Sequence, residues 1–257
     1  MNIIDKWSEH IRYTKNNPLP AGYNHEWSKK YNSNWDYIKT EFSNYHFDNF
    51  RKEQEGDYWT RLGRFEGDFA QAAEEIIEKS KELTWRDISD QGLRGFPEGT
   101  PVIEQEDYDR RKLHNLPDNK TLLVMGKDLG QWPVIQRMID FWALEDARPR
   151  IQNLQPGEVF EVHIDKLWHQ CPLEPERIVR IHIMLQDWKP GQFMSYGNMV
   201  YSQWRAGEIH TFDHWNIPHT TSNLGFHYRP MLSIIGNRTA RTNEILESAS
   251  IDSVFKI

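Results

Sequence analysis

Residues 179–186 read Val179-Arg180-Ile181-His182-Ile183-Met184-Leu185-Gln186, and they decide the fold. Side chains on a strand point alternately to opposite faces, so Arg180 and His182 share one face while Ile181 and Ile183 share the other. The same grammar of short extended runs broken by Pro, Gly and Asn continues on both sides after about Arg150. Further candidate strands are 151–154, 159–164, 199–204, 208–212 and 230–235. Turns between them include Gln155-Pro156-Gly157, Lys189-Pro190-Gly191 and Arg205-Ala206-Gly207. Several short strands at this spacing predict a sandwich or small barrel, an all-β unit with helices packed outside it.

Toward the N-terminus the pattern changes. Phe69, Ala72, Ala73, Ile76, Ile77 and Leu83 recur every three to four residues, the stripe of an amphipathic helix beginning after Glu66. A second helix is predicted to start at Pro133, a residue suited to a first helical turn, and to carry Val134, Ile135, Met138, Ile139 and Trp142 inward. Residues 1 to about 60 are polar, aromatic-rich and Asn-rich, with the breaker cluster Asn17-Pro18-Leu19-Pro20-Ala21-Gly22, and read as irregular segments with short helices.

The 257 residues are 38% hydrophobic and 27% charged, with a net charge of -7 and 33 aromatic side chains counted as 11 Trp, 10 Tyr and 12 Phe. That length buries a sizeable core without disulfide or metal staples. Cys171 is the single cysteine, so an internal disulfide, a four-cysteine zinc site and a CxxC redox pair are excluded. The opening MNIIDKWSEHIRYTKNN lacks the apolar stretch of a secretion signal, and no run has the length of a membrane span, so the expectation is a soluble cytoplasmic protein without a membrane partner. Net acidity disfavours nucleic acid as a partner. Walker-type, dinucleotide-binding, Gly-x-Ser-x-Gly and His-Glu-x-x-His motifs are missing from the sequence.

Seven of the 11 histidines fall between positions 163 and 227. His163-Ile-Asp165 sets an imidazole and a carboxylate two residues apart, hence on one face of a strand. His219 follows 56 residues later. Two imidazoles and one carboxylate can hold one face of a metal and leave other positions open. Arg229 lies ten residues after His219. A guanidinium directed into a β cavity is costly unless an anion meets it, so this spacing predicts an acidic small molecule beside the metal.

With these residues the chain resembles the 2-oxoglutarate and iron(II)-dependent dioxygenases, and within them the aspartyl/asparaginyl β-hydroxylase branch, which is similar to some free-proline hydroxylases. The resemblance covers 154–235. It is carried by Leu154-Gln155-Pro156-Gly157 ahead of His163, by Arg180-Ile-His182, and by Trp204-Arg-Ala-Gly207 leading to Phe212-Asp213 before His219. It implies iron ligation by His163, Asp165 and His219. It also implies a grip on the distal carboxylate of 2-oxoglutarate by Arg229, with Arg180 and His182 at the metal-proximal end of that cosubstrate and dioxygen as the second cosubstrate. Where the branch has a small hydroxyl residue assisting the distal carboxylate, this chain has Gln152. His169, His210, His214 and His227 read as surface or supporting histidines, and Trp204 and Trp215 as rim packing or stacking platforms for substrate.

The expectation is therefore one domain over 1–257, mainly β with helices. N-terminal helical and substrate-side segments occupy 1–149, a double-stranded β-helix (jelly-roll) core 150–237 and a C-terminal tail 238–257. The expected activity is hydroxylation of an unactivated C–H bond in a small molecule or peptide, an amino acid or amino-acid residue being the first guess by analogy. A cupin-type metalloenzyme that uses no 2-oxoglutarate, and a non-catalytic binding module, remain alternatives on the same core, and no oligomeric state is implied.

Overall fold

The computed structural model describes residues 59–82, 122–126, 129–163, 165, 174–197, 199–215 and 217–257. Along these the elements are β1 (Trp59–Glu66), α1 (Ala70–Glu82), β2 (Leu122–Met125), α2 (Pro133–Phe141), β3 (Glu145–Leu154), β4 (Glu158–His163), β5 (Ile178–Met184), β6 (Gln192–Tyr196), β7 (Met199–Tyr201), β8 (Glu208–Phe212), β9 (His219–Asn223), β10 (Arg229–Asn237), α3 (Ala240–Ser248) and β11 (Val254–Lys256).

Eight strands, β3 to β10, divide between two sheets so that the chain crosses from one to the other at nearly every connection. The larger sheet runs β11-β1-β8-β5-β10-β3-β2 and the smaller β4-β9-β6-β7. Of these eight, only β6 and β7 follow each other within one sheet, as an antiparallel hairpin pairing Met194 with Tyr201. The orders β8-β5-β10-β3 and β4-β9-β6-β7 are those of a jelly roll, a double-stranded β-helix.

Each face of the larger sheet has its own chemistry. Ile181, Ile183, Ile209, Leu232 and Ile234 point outward into one apolar cluster with Phe69, Ala72, Ala73 and Ile76 of the α1 region, with Val134, Ile135, Met138 and Ile139 of α2, and with Ile245 and Leu246 of α3. The helix stripes read from the sequence are thus core. The inner face carries Met184, Phe212 and Met231 against Met194, Tyr196 and Tyr201 of the smaller sheet. Further along that inner face it turns polar, with Arg180, His182, His210 and Ser233 all buried.

The larger sheet extends past 150–237 at both ends. Trp59–Glu66, within the stretch 1–149 expected to hold helical and substrate-side segments, is a strand, pairing antiparallel with β8 across an irregularity between Arg61 and Gly63. Residues 254–256 of the expected tail pair parallel with its outer edge. Strands β2, β6 and β9 also lie outside the six candidate runs. The strand expected over 199–204 stops at Tyr201, because the backbone turns at Gln203, whose φ is 59°. The other sequence expectations for residues 1–58 and 83–121, and Cys171, fall outside the described residues.

Candidate functional site

Two strand ends of the smaller sheet meet where the sequence expected metal ligands. His163 closes β4 and His219 opens β9, and the two are paired Cα partners. The bulge between Phe160 and His163 shifts the register just before this pair. The side chain of His163 lies outside the described residues. Asp165 follows two residues on, its backbone N–H donating to the His214 carbonyl at 3.0 Å. His219 Nε2 lies 3.4 Å from Asp165 Oδ2, and His219 Nδ1 lies 3.0 Å from the Ile217 carbonyl. A carbonyl can only accept, so Nδ1 carries the proton and Nε2 presents its lone pair toward Asp165. Burial and the charge of Arg180 push the His219 pKa down to about 3, so the ring stays neutral. A neutral imidazole whose Nε2 carries no proton, beside a carboxylate, has the donor chemistry that could hold a divalent cation. Among the described residues no group of three or more His, Cys, Asp or Glu side chains is arranged to hold a metal ion. Asp165 and His219 are the two expected ligands whose side chains are described.

The larger sheet contributes the cations. Arg180 is 4% exposed, its Nη1 in contact with Asp165 Oδ2 and its Nε 3.4 Å from Ser233 Oγ. Burial and then the nearby Arg150 lower its pKa well below the usual arginine value, and the Asp165 carboxylate in contact with it opposes that shift by favouring the charged form. This places Arg180 on the expected metal-binding carboxylate itself. Arg229 is fully buried, and its Nη1 donates to Thr221 Oγ1 of β9. The Thr221 hydroxyl proton goes to the Phe193 carbonyl at 3.3 Å, leaving a lone pair for the guanidinium. Nε and Nη2 of Arg229 have no hydrogen-bond partner among the described residues. Burial lowers the Arg229 pKa only to about 10, so the buried group remains a cation at neutral pH.

Between the two guanidines lies a group of rings. His182 is 2% exposed, with Nδ1 3.2 Å from His210 Nε2 and 3.4 Å from the Tyr196 hydroxyl. Tyr196 Oη and His210 Nε2 are 2.7 Å apart. Burial first, then Arg180, lowers the His182 pKa well below the usual range; burial, then Arg229, takes His210 down to about 3. His210, read from the sequence as a surface or supporting histidine, is completely buried here. Tyr196 is a site residue that the sequence reading missed. The alternation of His210 with Phe212 on β8, in register with His182, is the signal that could have found the first of them. Trp204 and Trp215 are 2% and 1% exposed, Trp204 tilted against Tyr201 at 5.3 Å between ring centroids within the core, so both act in packing. Gln152 is buried on β3 opposite Met231.

No protein-family profile and no curated protein matches the sequence. Solved structures that resemble the chain include a Pseudomonas putida prolyl-4-hydroxylase, 19% identical, covering 73% of this chain and 97% of that one at a TM-score of 0.38. A Cupin_2 domain of an XRE family transcriptional regulator from Enterobacter cloacae is 12% identical, covering 47% and 100% at 0.30. A Klebsiella pneumoniae protein with a double-stranded β-helix domain is 15% identical, covering 37% and 71% at 0.27. The chain has a cupin-like double-stranded β-helix fold, defined by its own strand order and register. Among the described residues no helix is long and apolar enough to cross a membrane.

Proposed function

We propose that this chain is a 2-oxoglutarate-dependent iron(II) dioxygenase that hydroxylates an unactivated C–H bond. The observation that carries the reading is Arg229, a buried guanidinium with Nε and Nη2 unpartnered among the described residues, anchored by Thr221 on the strand that His219 opens. A cation so placed stabilises a buried carboxylate far more than it stabilises the protein. In this reading His163, Asp165 and His219 hold iron(II), which when bound supplies the activation of dioxygen needed for C–H oxidation. The reaction is substrate–H plus dioxygen plus 2-oxoglutarate giving substrate–OH, succinate and carbon dioxide.

The chain's own residues bind and orient. Arg229 grips the distal carboxylate of the cosubstrate, and Arg180 and His182 face its other end. Arg180 also stays within reach of Asp165, so the carboxylate that ligates and the carboxylate that arrives share one guanidinium. Met184, Phe212 and Met231 keep water from the buried end of the sandwich. The substrate is proposed to be a small molecule or peptide, with an amino acid or amino-acid residue as the first class to screen.

An anaerobic absorbance titration of the protein with iron(II) and 2-oxoglutarate tests this. The expected result is a weak visible charge-transfer band that is lost in Asp165→Ala and Arg229→Ala. A folded, metal-loaded protein without the band overturns the reading and turns attention to a cupin-type metalloenzyme that needs no 2-oxoglutarate.

A further inference from the structure

Beyond the expected ligands, the buried polar pair Tyr196 and His210 has no role in the chemistry described so far. Tyr196 comes from the smaller sheet and His210 from the larger, so they join the two halves of the sandwich. Both meet at Nδ1 of His182, and Nε2 of His182 has no partner among the described residues. The far nitrogen of the group, His210 Nδ1, is also without a partner among them. Around the His210 ring stand Trp59 at 5.9 Å and Tyr201 at 4.8 Å between centroids, and the Tyr201 hydroxyl is turned away to Glu208 at 2.7 Å.

Two proton arrangements satisfy the three short contacts. In the first, His182 Nδ1–H donates to the Tyr196 oxygen and the phenol donates to His210 Nε2, which forces a proton onto His210 Nδ1. That leaves a buried N–H donor without a partner among the described residues. In the second, His210 Nε2–H donates to the Tyr196 oxygen and the phenol donates to His182 Nδ1. His210 Nδ1 is then a bare lone pair, and the proton of His182 sits on Nε2. Each arrangement leaves one buried N–H without a partner among the described residues, on His210 Nδ1 in the first and on His182 Nε2 in the second. An anion seated beside Arg180, on the strand face that His182 shares, accepts the second and not the first, so an occupied site takes the second arrangement. Both rings are neutral by burial and by the nearby guanidines, as a single proton per ring requires.

We infer that Tyr196 and His210 are positioning residues that lock His182 in the tautomer with its proton on Nε2, so that the site offers a third donor, beside Arg180 and Arg229, to an anionic ligand. The inference rests on the cosubstrate reading above and deepens it. A carboxylate would then meet an uncharged N–H whose direction is fixed from behind by groups on two different sheets.

The test uses the full-length chain loaded with zinc(II), a redox-inert metal, and 2-oxoglutarate as the probe. Nitrogen-15 labelling of histidine reports which ring nitrogen of His182 carries the proton, with the resonance assigned by its loss in His182→Gln. The wild-type protein is expected to show the Nε2–H form. In His210→Phe, combined with Tyr196→Phe, the ring is expected to populate both forms, and 2-oxoglutarate affinity to fall about tenfold, as when other ligand-orienting partners are removed. His210→Gln, whose amide N–H can take the place of the imidazole donor, is expected to recover most of that affinity. A merely structural pair would lower the thermal midpoint in these variants without moving the tautomer or distinguishing Gln from Phe. The inference is overturned if wild-type His182 carries its proton on Nδ1. It is equally overturned if the double variant binds 2-oxoglutarate as tightly as wild type while Arg229→Ala does not. Unchanged binding in Arg229→Ala sinks the cosubstrate reading itself.

Discussion

Arg229 is completely buried and uses one of its three nitrogens on Thr221, with the other two unpartnered among the described residues. Desolvating such a group costs several kcal/mol, so the fold gives up stability at the position where an anion is expected. This residue, with Asp165 and His219, was legible in the sequence because spacing along two strands is enough to express it. Tyr196 and His210 were not legible, since their meeting depends on which strands lie opposite, and no local spacing encodes that. His210 also gives the molecule an acid sensitivity. Its pKa is about 3 in the fold, against roughly 6.5 for an unperturbed histidine in the unfolded chain. Below the unfolded value the unfolded chain takes up a proton that the folded chain refuses. Its stabilising share is therefore complete above about pH 6.5 and is lost as pH falls toward 3. Urea unfolding is expected to show a midpoint that drops between pH 6.5 and 4, with a slope reduced in His210→Phe by up to about 1.4 kcal/mol per pH unit. An unchanged slope in that variant would contradict the burial of a neutral ring.

Helices α1 and α2 were legible because an apolar stripe at helical spacing needs only its own sequence to be seen. Strand β9 was hidden for the opposite reason. His219-Thr220-Thr221-Ser222-Asn223 has no aliphatic or aromatic carbon side chain, yet four of its five residues are buried, held by polar contacts such as Asn223 Nδ2 to the Leu154 carbonyl at 3.0 Å. The turn Trp204-Arg205-Ala206-Gly207 was seen as a motif, and its glycine has a steric cause. Gly207 has φ of 82°, and a Cβ there would lie 2.3 Å from the Phe65 carbonyl oxygen. The same residue ties three strands, its N–H donating to the Met184 carbonyl at 2.7 Å and its carbonyl accepting from Phe65 N–H at 2.9 Å. Gly207→Ala is expected to cost about 2–4 kcal/mol, combining a left-handed backbone with a collision that only movement of β1 could relieve. Chemical denaturation measures this, and a loss under about 0.5 kcal/mol, the range of a neutral surface change, would show that β1 yields freely.

The division of strands between two sheets was legible as a class, from short runs at regular spacing, but the partners of each strand were not. Trp59–Glu66 interleaves Arg61, Arg64 and Glu66 with buried Leu62 and Phe65, so its apolar content is too sparse to announce a strand. It becomes one because β8 and β11 offer it hydrogen bonds on both edges. Phe255 then closes the outer layer, 4.8 Å from Phe141 and 6.0 Å from Phe65 between ring centroids. Around the candidate centre the same economy holds for charge. Asp165 is met by a cation that its own chain supplies, Arg180, itself carried on the central strand β5. A carboxylate already neutralised in this way gives the polypeptide no reason to await a metal before folding. In the proposed reading, assembly is then expected to precede metal loading, unlike small zinc modules that collapse when stripped. Treatment with a strong chelator is expected to leave the circular dichroism spectrum intact and to move the thermal transition by only a few degrees, and a chelated protein that unfolds would reverse that order of events.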